Sequence, residues 1–378
     1  MTTTIDGSNE STFAAGVTCT SLNGGQLAGR RNIVINGGMK VAQRSTSVTG
    51  LGATTGYYVL DRFRTPMSTS GRFTMAQVAD GPAGFAKCMK ITTTTADTSI
   101  AATELLIFEQ RIEGQDVQQL QKGTATAKQV TVSFYVKGNA AATYVCELYD
   151  HDNTRNITQS FTVTTDWRRI ELTFAADTSD PLDDDNAVSL SANIWLHAGS
   201  NRTSGTFVSN TWADVNETNR CAVSNFTSIF DSTNRTFFLT GVQVELGSTA
   251  TEFEHRSYGE ELALCQRYLP AFNAESTTDT FATGTFTSNA IAFINYPFLV
   301  EPRVTPTGIT ISTVAHVQLY GPGGGTSAAS GFIFNGGTCK KLGRLQVNGT
   351  GTPYTPGQGA EVFSNDATLQ LLWTGCEL

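Results

Sequence analysis

Alternation between apolar and polar positions runs through most of this chain. Val130, Val132, Phe134 and Val136 fall on one face and Thr131, Ser133 and Tyr135 on the other, the pattern of a half-buried strand. Ile170, Leu172 and Phe174 repeat it, as do Val188, Leu190, Ala192, Ile194 and Leu196, and then Phe238, Val242, Val244 and Leu246. Ile33 and Ile35 open the series and stop at Asn36-Gly37-Gly38, and the Gly138-Asn139 turn before Tyr144–Tyr149 predicts a hairpin. Many short strands with regular breaks predict an all-β, two-sheet sandwich.

A single helix interrupts the pattern. Ser257 stands three residues before Glu260, the spacing of a capping box, and Leu262, Cys265 and Leu269 share one face before Pro270 ends the element. Beyond it, Ala290, Ala292 and Ile294 alternate with Ile291 and Phe293, and Gly321–Gly325 reads as a loop. Ahead of the first strand, residues 1–30 are small and polar, with Ile5, Phe13 and Val17 too sparse to build a core. The resulting division is an extended arm over 1–31, a sandwich over 32–256, a connector helix over 257–270 and a smaller C-terminal β domain over 271–378.

Composition narrows the function. Only 15% of the 378 residues are charged, the net charge is −8, and no Lys/Arg run offers a stripe for polyanions, so nucleic acid is not an expected partner. The N-terminus has neither a basic nor an apolar export region, and no apolar run is long enough to span a membrane. Seven scattered cysteines lack metal-ligand spacing and read as buried free thiols. No phosphate-binding loop, HExxH, GxSxG or CxxC occurs; Asp150–Asn153 reads as a solvated turn and Asp180–Asn186 as a polar loop. No catalytic residues, metal ligands or cofactor are therefore expected. A sugar site needs aromatic faces backed by polar groups. With Leu190, Ile194 and Leu196 inward, Trp195 and His197 project to the opposite face; Tyr135 projects likewise from its own strand, and Glu147 and Tyr149 join across the expected hairpin.

Three stretches carry a resemblance. RNIVINGGMKVAQRSTSVTG with GYYVLDRF, over 31–63, and GVQVELGSTATEFEHRSYGEELALCQRYL, ending at Leu269, resemble the two ends of a module in bacteriophage tail-fibre and other virion structural proteins. VTVSFYVKG and DWRRIELTF are similar to strands of jelly-roll carbohydrate-binding modules. The resemblance implies a jelly-roll sandwich in a non-enzymatic virion protein. It implies a homotrimeric tail fibre that attaches to host-surface polysaccharide, with the arm docking on other phage tail or capsid proteins. A head fibre or capsid decoration protein is the alternative. Assembly in the host cytoplasm and residence in the virion follow from either. In such a fibre the aromatic face serves a subunit interface before it serves a glycan. Gln43-Arg44 and Asp61-Arg62 are expected to tie the sheet edge through charge-assisted hydrogen bonds. Lys40 stands where related modules place a calcium-binding carboxylate, so no calcium is expected.

Overall fold

The computed structural model describes residues 30–322, 325–351 and 353–378; all but the last two residues of the arm read over 1–31 lie outside them. The fold is all-β, a jelly-roll sandwich followed by a short helix and a smaller β unit. One sheet runs Ser47–Leu51, Arg72–Val78, Cys88–Thr95, Thr236–Leu246, Val130–Gly138 and Arg168–Phe174. The other runs Ala213–Asp214, Arg155–Val163, Ala142–Asp150, Val188–Ala198, Leu105–Glu113, Phe63–Thr65 and Gly56–Tyr57, with Met67–Ser68 beside Leu105–Glu113. Their inner faces meet edge-on through Phe134 and Phe161, 5.0 Å apart, and through Tyr144 and Phe237, 5.5 Å apart.

The hairpin expected at Gly138-Asn139 does not form. Val130–Gly138 pairs with Arg168–Phe174 and Thr236–Leu246, whereas Ala142–Asp150 pairs with Arg155–Val163 and Val188–Ala198 in the opposite sheet. The turn carries the chain across the sandwich, which points the apolar faces of successive strands at one another instead of leaving both on one sheet.

Residues 32–41 enter without joining a ladder, so their buried backbone groups need other partners. Asn32 supplies several: its side chain donates to Val242 O at 3.0 Å and accepts from Val34 N at 3.0 Å and Val244 N at 3.1 Å. Asn36, at φ 62°, accepts from Val41 N at 2.9 Å and donates to Val41 O at 2.8 Å. Gly37 has to be glycine, since a Cβ there would lie 2.0 Å from Val242 O. From the far end of the sandwich come Glu254, accepting from Asn32 N at 2.6 Å, and Arg256, donating to Val34 O at 3.0 Å and to Asn32 O. The two sequence stretches that share the phage resemblance, some two hundred residues apart, are thus interlocked in space.

The helix spans Tyr258–Gln266, with Ser257 Oγ accepting from Glu260 N at 3.2 Å. Glu260 does not complete the box; its carboxylate accepts from Arg30 at 2.8 Å. The seated face also differs from the expected one. Glu261, Cys265, Tyr268 and Leu269 are buried, while Leu262 is only half-buried. The face is turned because the Glu261 carboxylate is drawn inward, accepting from Asn36 N at 2.6 Å and pairing with Arg256 at 3.3 Å.

Past Pro270 the chain closes a six-stranded antiparallel barrel from Thr280–Phe286, Ile291–Pro297, Leu342–Gly349, Gly325–Phe334, Val317–Gly321 and Gly359–Ser364. A three-stranded sheet of Ala271–Asn273, Gln370–Thr374 and Gly308–Ile311 lies beside it, and buried Trp373 packs on Tyr296, Phe298 and Phe334. The barrel is tied back to the sandwich. Arg303 donates to Asn186 O at 2.7 Å and Glu377 O at 2.8 Å, and Glu377 pairs with Arg44 at 2.7 Å and Arg62 at 3.5 Å. Of the six described cysteines none is paired; five are buried, and Cys339, against expectation, is exposed.

Three outcomes follow for urea denaturation and for proteolysis of the joint around residues 253–272. Ser257→Ala is expected to cost about 1 kcal/mol, the usual value of such a cap, and Leu262→Asp no more than about 1 kcal/mol, because the side chain reaches water. Asn32→Ala, which strands two buried N–H groups and a carbonyl, is expected to cost about 2–3 kcal/mol or more. Equal losses for Leu262→Asp and Asn32→Ala would contradict this account of the joint.

Candidate functional site

The two outer faces of the sandwich divide the sequence-predicted site residues. Trp195 leaves the core face, as alternation requires, and so does His197, but neither reaches solvent: both are fully buried. Residues 199–232 fold back over this end of the sheet as a roof. Thr227 N donates to Thr143 O and Ile229 N to Leu196 O, each at 2.9 Å, and Cys221 joins Ile107, Val145, Trp195 and Ala198 in a small apolar cluster.

Glu147 is buried with them, between strand and roof. Its carboxylate accepts from Asn156 at 2.7 Å, Asn193 at 3.0 Å, Trp195 Nε1 at 2.9 Å and the Nε and Nη2 edge of the Arg220 guanidinium at 2.9 and 2.8 Å. Arg220 in turn lies over the rings of Trp195 and Tyr149, 4.7 and 5.0 Å from their centroids. Burial alone would raise the Glu147 carboxyl; the Arg220 charge and the hydrogen bonds outweigh it and hold the group below its ordinary range. Glu147, Trp195 and His197 are therefore walled off from a ligand, and Tyr149 alone of this set is half-exposed. The missed signal was the apolar content of Phe207, Trp212, Cys221, Val223 and Phe226, too high for the solvated loop that breaks between strands suggest.

Tyr135 belongs to the other sheet, on its opposite outer face. There Lys137 stands across from Phe238, and Phe238 across from Lys90. The Lys137 amine sits 5.2 Å from the Trp167 ring and 4.8 Å from Phe238, and Lys90 sits 5.3 Å from Phe238. One row on, Tyr135 stands between Arg169 and Thr240, with the Arg169 guanidinium 5.9 Å from its ring. Phe85 packs on Tyr135 at 5.2 Å and on Phe253 at 5.0 Å, in space opened by Gly241, where φ is +63° and a Cβ would lie 2.7 Å from Phe85. Trp167, Tyr135, Lys137 and Arg169 are all half-exposed. An aromatic strip flanked by ammonium and guanidinium groups can stack sugar C–H faces and hydrogen-bond hydroxyls or carboxylates.

The paired motifs lie elsewhere, at the junction of sandwich, helix and barrel. Asp61 accepts from Gln43 N at 3.0 Å and Gln43 Nε2 at 2.5 Å, with Arg44 at 3.9 Å; Arg62 donates to Arg111 O and stacks 3.4 Å from the Tyr268 ring centroid. A nearby cleft of about 600 Å³ is lined by Arg30, Asn32, Gln115, Asp116, Arg256 and Arg267. Its arginines are engaged by Glu260, Glu261 and Glu113, which marks a structural seam.

The roof gives a pH test. A carboxyl titrating below its unfolded value contributes stability that is complete above the ordinary value of 4.5 and is lost as pH falls through the folded-state pKa. Glu147→Gln is expected to release residues 199–232 to limited proteolysis at neutral pH and to flatten acid unfolding below about pH 4.5. A protease-resistant roof in this variant would refute the staple.

No protein-family model matches the chain, and no curated protein matches it. Among solved structures it is similar to a carbohydrate-binding module of family CBM4, with 17% identity and a TM-score of 0.28, covering 56% of this chain and 97% of that one. It is also similar to TmCBM61 in complex with β-1,4-galactotriose, with 9% identity and a TM-score of 0.30, covering 57% and 99% of the two chains. A third is the enzymatically active domain of bacteriophage CBA120 tailspike protein 4, with 12% identity and a TM-score of 0.29; the match covers 57% of this chain but only 21% of the tailspike.

Proposed function

We propose that this chain is a bacteriophage virion structural protein, a homotrimeric tail fibre that attaches to host-surface polysaccharide through the Tyr135–Trp167 face. The observation that carries the reading is the half-exposed Trp167 and Tyr135, flanked by Lys137 and Arg169, on a sheet whose counterpart has its Trp under a roof. The interlock of residues 32–41 with 242–261 supports the phage part, since it joins the two stretches that resemble one virion module. Lys90, Lys137 and Arg169 outnumber Asp80 and Glu171 there, on a chain of net charge −8, which favours a glycan bearing carboxylates. The protein acts by adhesion and not by hydrolysis, is assembled in the host cytoplasm, and meets the particle through its N-terminal arm.

Binding to purified host polysaccharide, read by titration, tests this. Trp167→Ala and Tyr135→Ala are each expected to weaken binding roughly tenfold, about 1.4 kcal/mol, with the circular dichroism spectrum unchanged and no reducing sugar released. Light scattering is expected to give a trimer. Loss of the trimer in Trp167→Ala, with no sugar bound by the parent, would make this face a subunit interface and favour a head fibre or decoration protein.

A further inference from the structure

A buried cluster at one end of the sandwich plays no part in the adhesion face. Asp97 lies beyond the strand Cys88–Thr95, Glu104 just ahead of Leu105–Glu113, and His197 near the end of Val188–Ala198. One ligand atom from each lies within 4.8 Å of the other two, and the residues are 7%, 6% and 0% exposed. Among the described residues, neither carboxylate has a Lys or Arg within ion-pair distance; the sole charged partner of Glu104 is His197. Two buried carboxylates without a fixed cation are costly unless a proton or a metal lies between them.

The imidazole geometry suits the metal. His197 Nδ1 is 2.8 Å from Ser228 Oγ, which accepts from Phe230 N at 3.0 Å and has a second lone pair free for the ring N–H; in that tautomer the bare Nε2 faces the carboxylates. In the other tautomer Nε2–H would donate to Glu104, but their separation of 3.4 Å is long for a charge-assisted hydrogen bond. It matches instead the edge of a tetrahedron whose ligands sit about 2.0–2.1 Å from zinc, roughly 3.3 Å. Glu104 is oriented by Ser70 N at 3.0 Å, Ser70 Oγ at 2.9 Å and Ala101 N at 3.3 Å, and Asp97 by Ser99 N at 3.2 Å. Such outer contacts are the usual support of a metal site.

We propose that Asp97, Glu104 and His197 bind one divalent transition-metal ion, zinc being the best fit to an imidazole and two carboxylates, with water completing the shell. The ion neutralises the carboxylates and, through Ser228, staples the roof to the ends of three strands. This site is independent of the adhesion reading. The absence of ligand spacing in the sequence does not bear on it, because the three residues come from separate segments.

The test uses full-length protein purified without a metal-affinity step and stripped with chelator. Calorimetric titration with ZnCl2 is expected to give one ion per chain and a raised Tm, while CaCl2 gives neither. Asp97→Asn and Glu104→Gln, which keep size, are expected to weaken zinc binding roughly 100-fold or more, since even outer-shell partners are worth 10–100-fold. As a check that needs no variant, CoCl2 added to the parent is expected to give visible absorption bands of a tetrahedral site. No zinc uptake by the parent, no cobalt bands, or full-affinity binding by a folded Glu104→Gln protein would each overturn the proposal.

Discussion

The sandwich is organised around an entering backbone that meets its neighbouring strand at only a few points, such as Ile33 N to Val244 O and Val242 N to Gly37 O. Residues 32–41 run buried beside Thr236–Leu246, and an unpaired N–H or C=O there costs as much as a lost hydrogen bond. Asn32, Asn36, Glu254, Arg256 and Glu261 act as substitutes for a ladder strand. Because three of these come from the far end of the domain, the polar groups of the entering segment are satisfied only where both ends of the domain meet. The same requirement turns the helix: its Glu261 faces inward because an amide N–H waits there, and Leu262 is displaced toward water.

The sandwich spends its two outer faces differently. On one, a polar row headed by Glu147 is satisfied internally by Arg220, so the roof rests on charge-assisted bonds as well as on Cys221 and Phe226. On the other, Lys137 and Arg169 lie by aromatic rings as well as pairing with Asp80 and Glu171, and Trp167 and Tyr135 keep part of their surface in water. The first arrangement is closed; the second is open to solvent.

Strand existence and phase were legible in the sequence because the side-chain period is a local property: Trp195 lies opposite Ile194, and Ala292 and Ile294 point into the barrel. Partner choice was not. Nothing local distinguishes a two-residue turn that folds back from one that crosses to the other sheet, so Gly138-Asn139 predicted the wrong neighbour. Exposure failed for a related reason. Alternation tells which face a side chain takes but not whether another segment lies over that face, which is why Glu147, Trp195 and His197 resembled a platform and Trp167 passed unnoticed. The Asp97–Glu104–His197 cluster has no sequence signature at all, being assembled by topology.

The barrel leaves the sandwich at Pro270 and comes back beside it, for Trp373 N donates to Pro270 O at 2.9 Å and Glu377 clasps Arg44 and Arg62. A tug on the barrel is therefore shared between the covalent crossing at Pro270 and the clasped C-terminal segment, with Arg303 bridging them. The barrel is thus held at two points instead of hanging from a single linker, and a load on it reaches the sandwich through both.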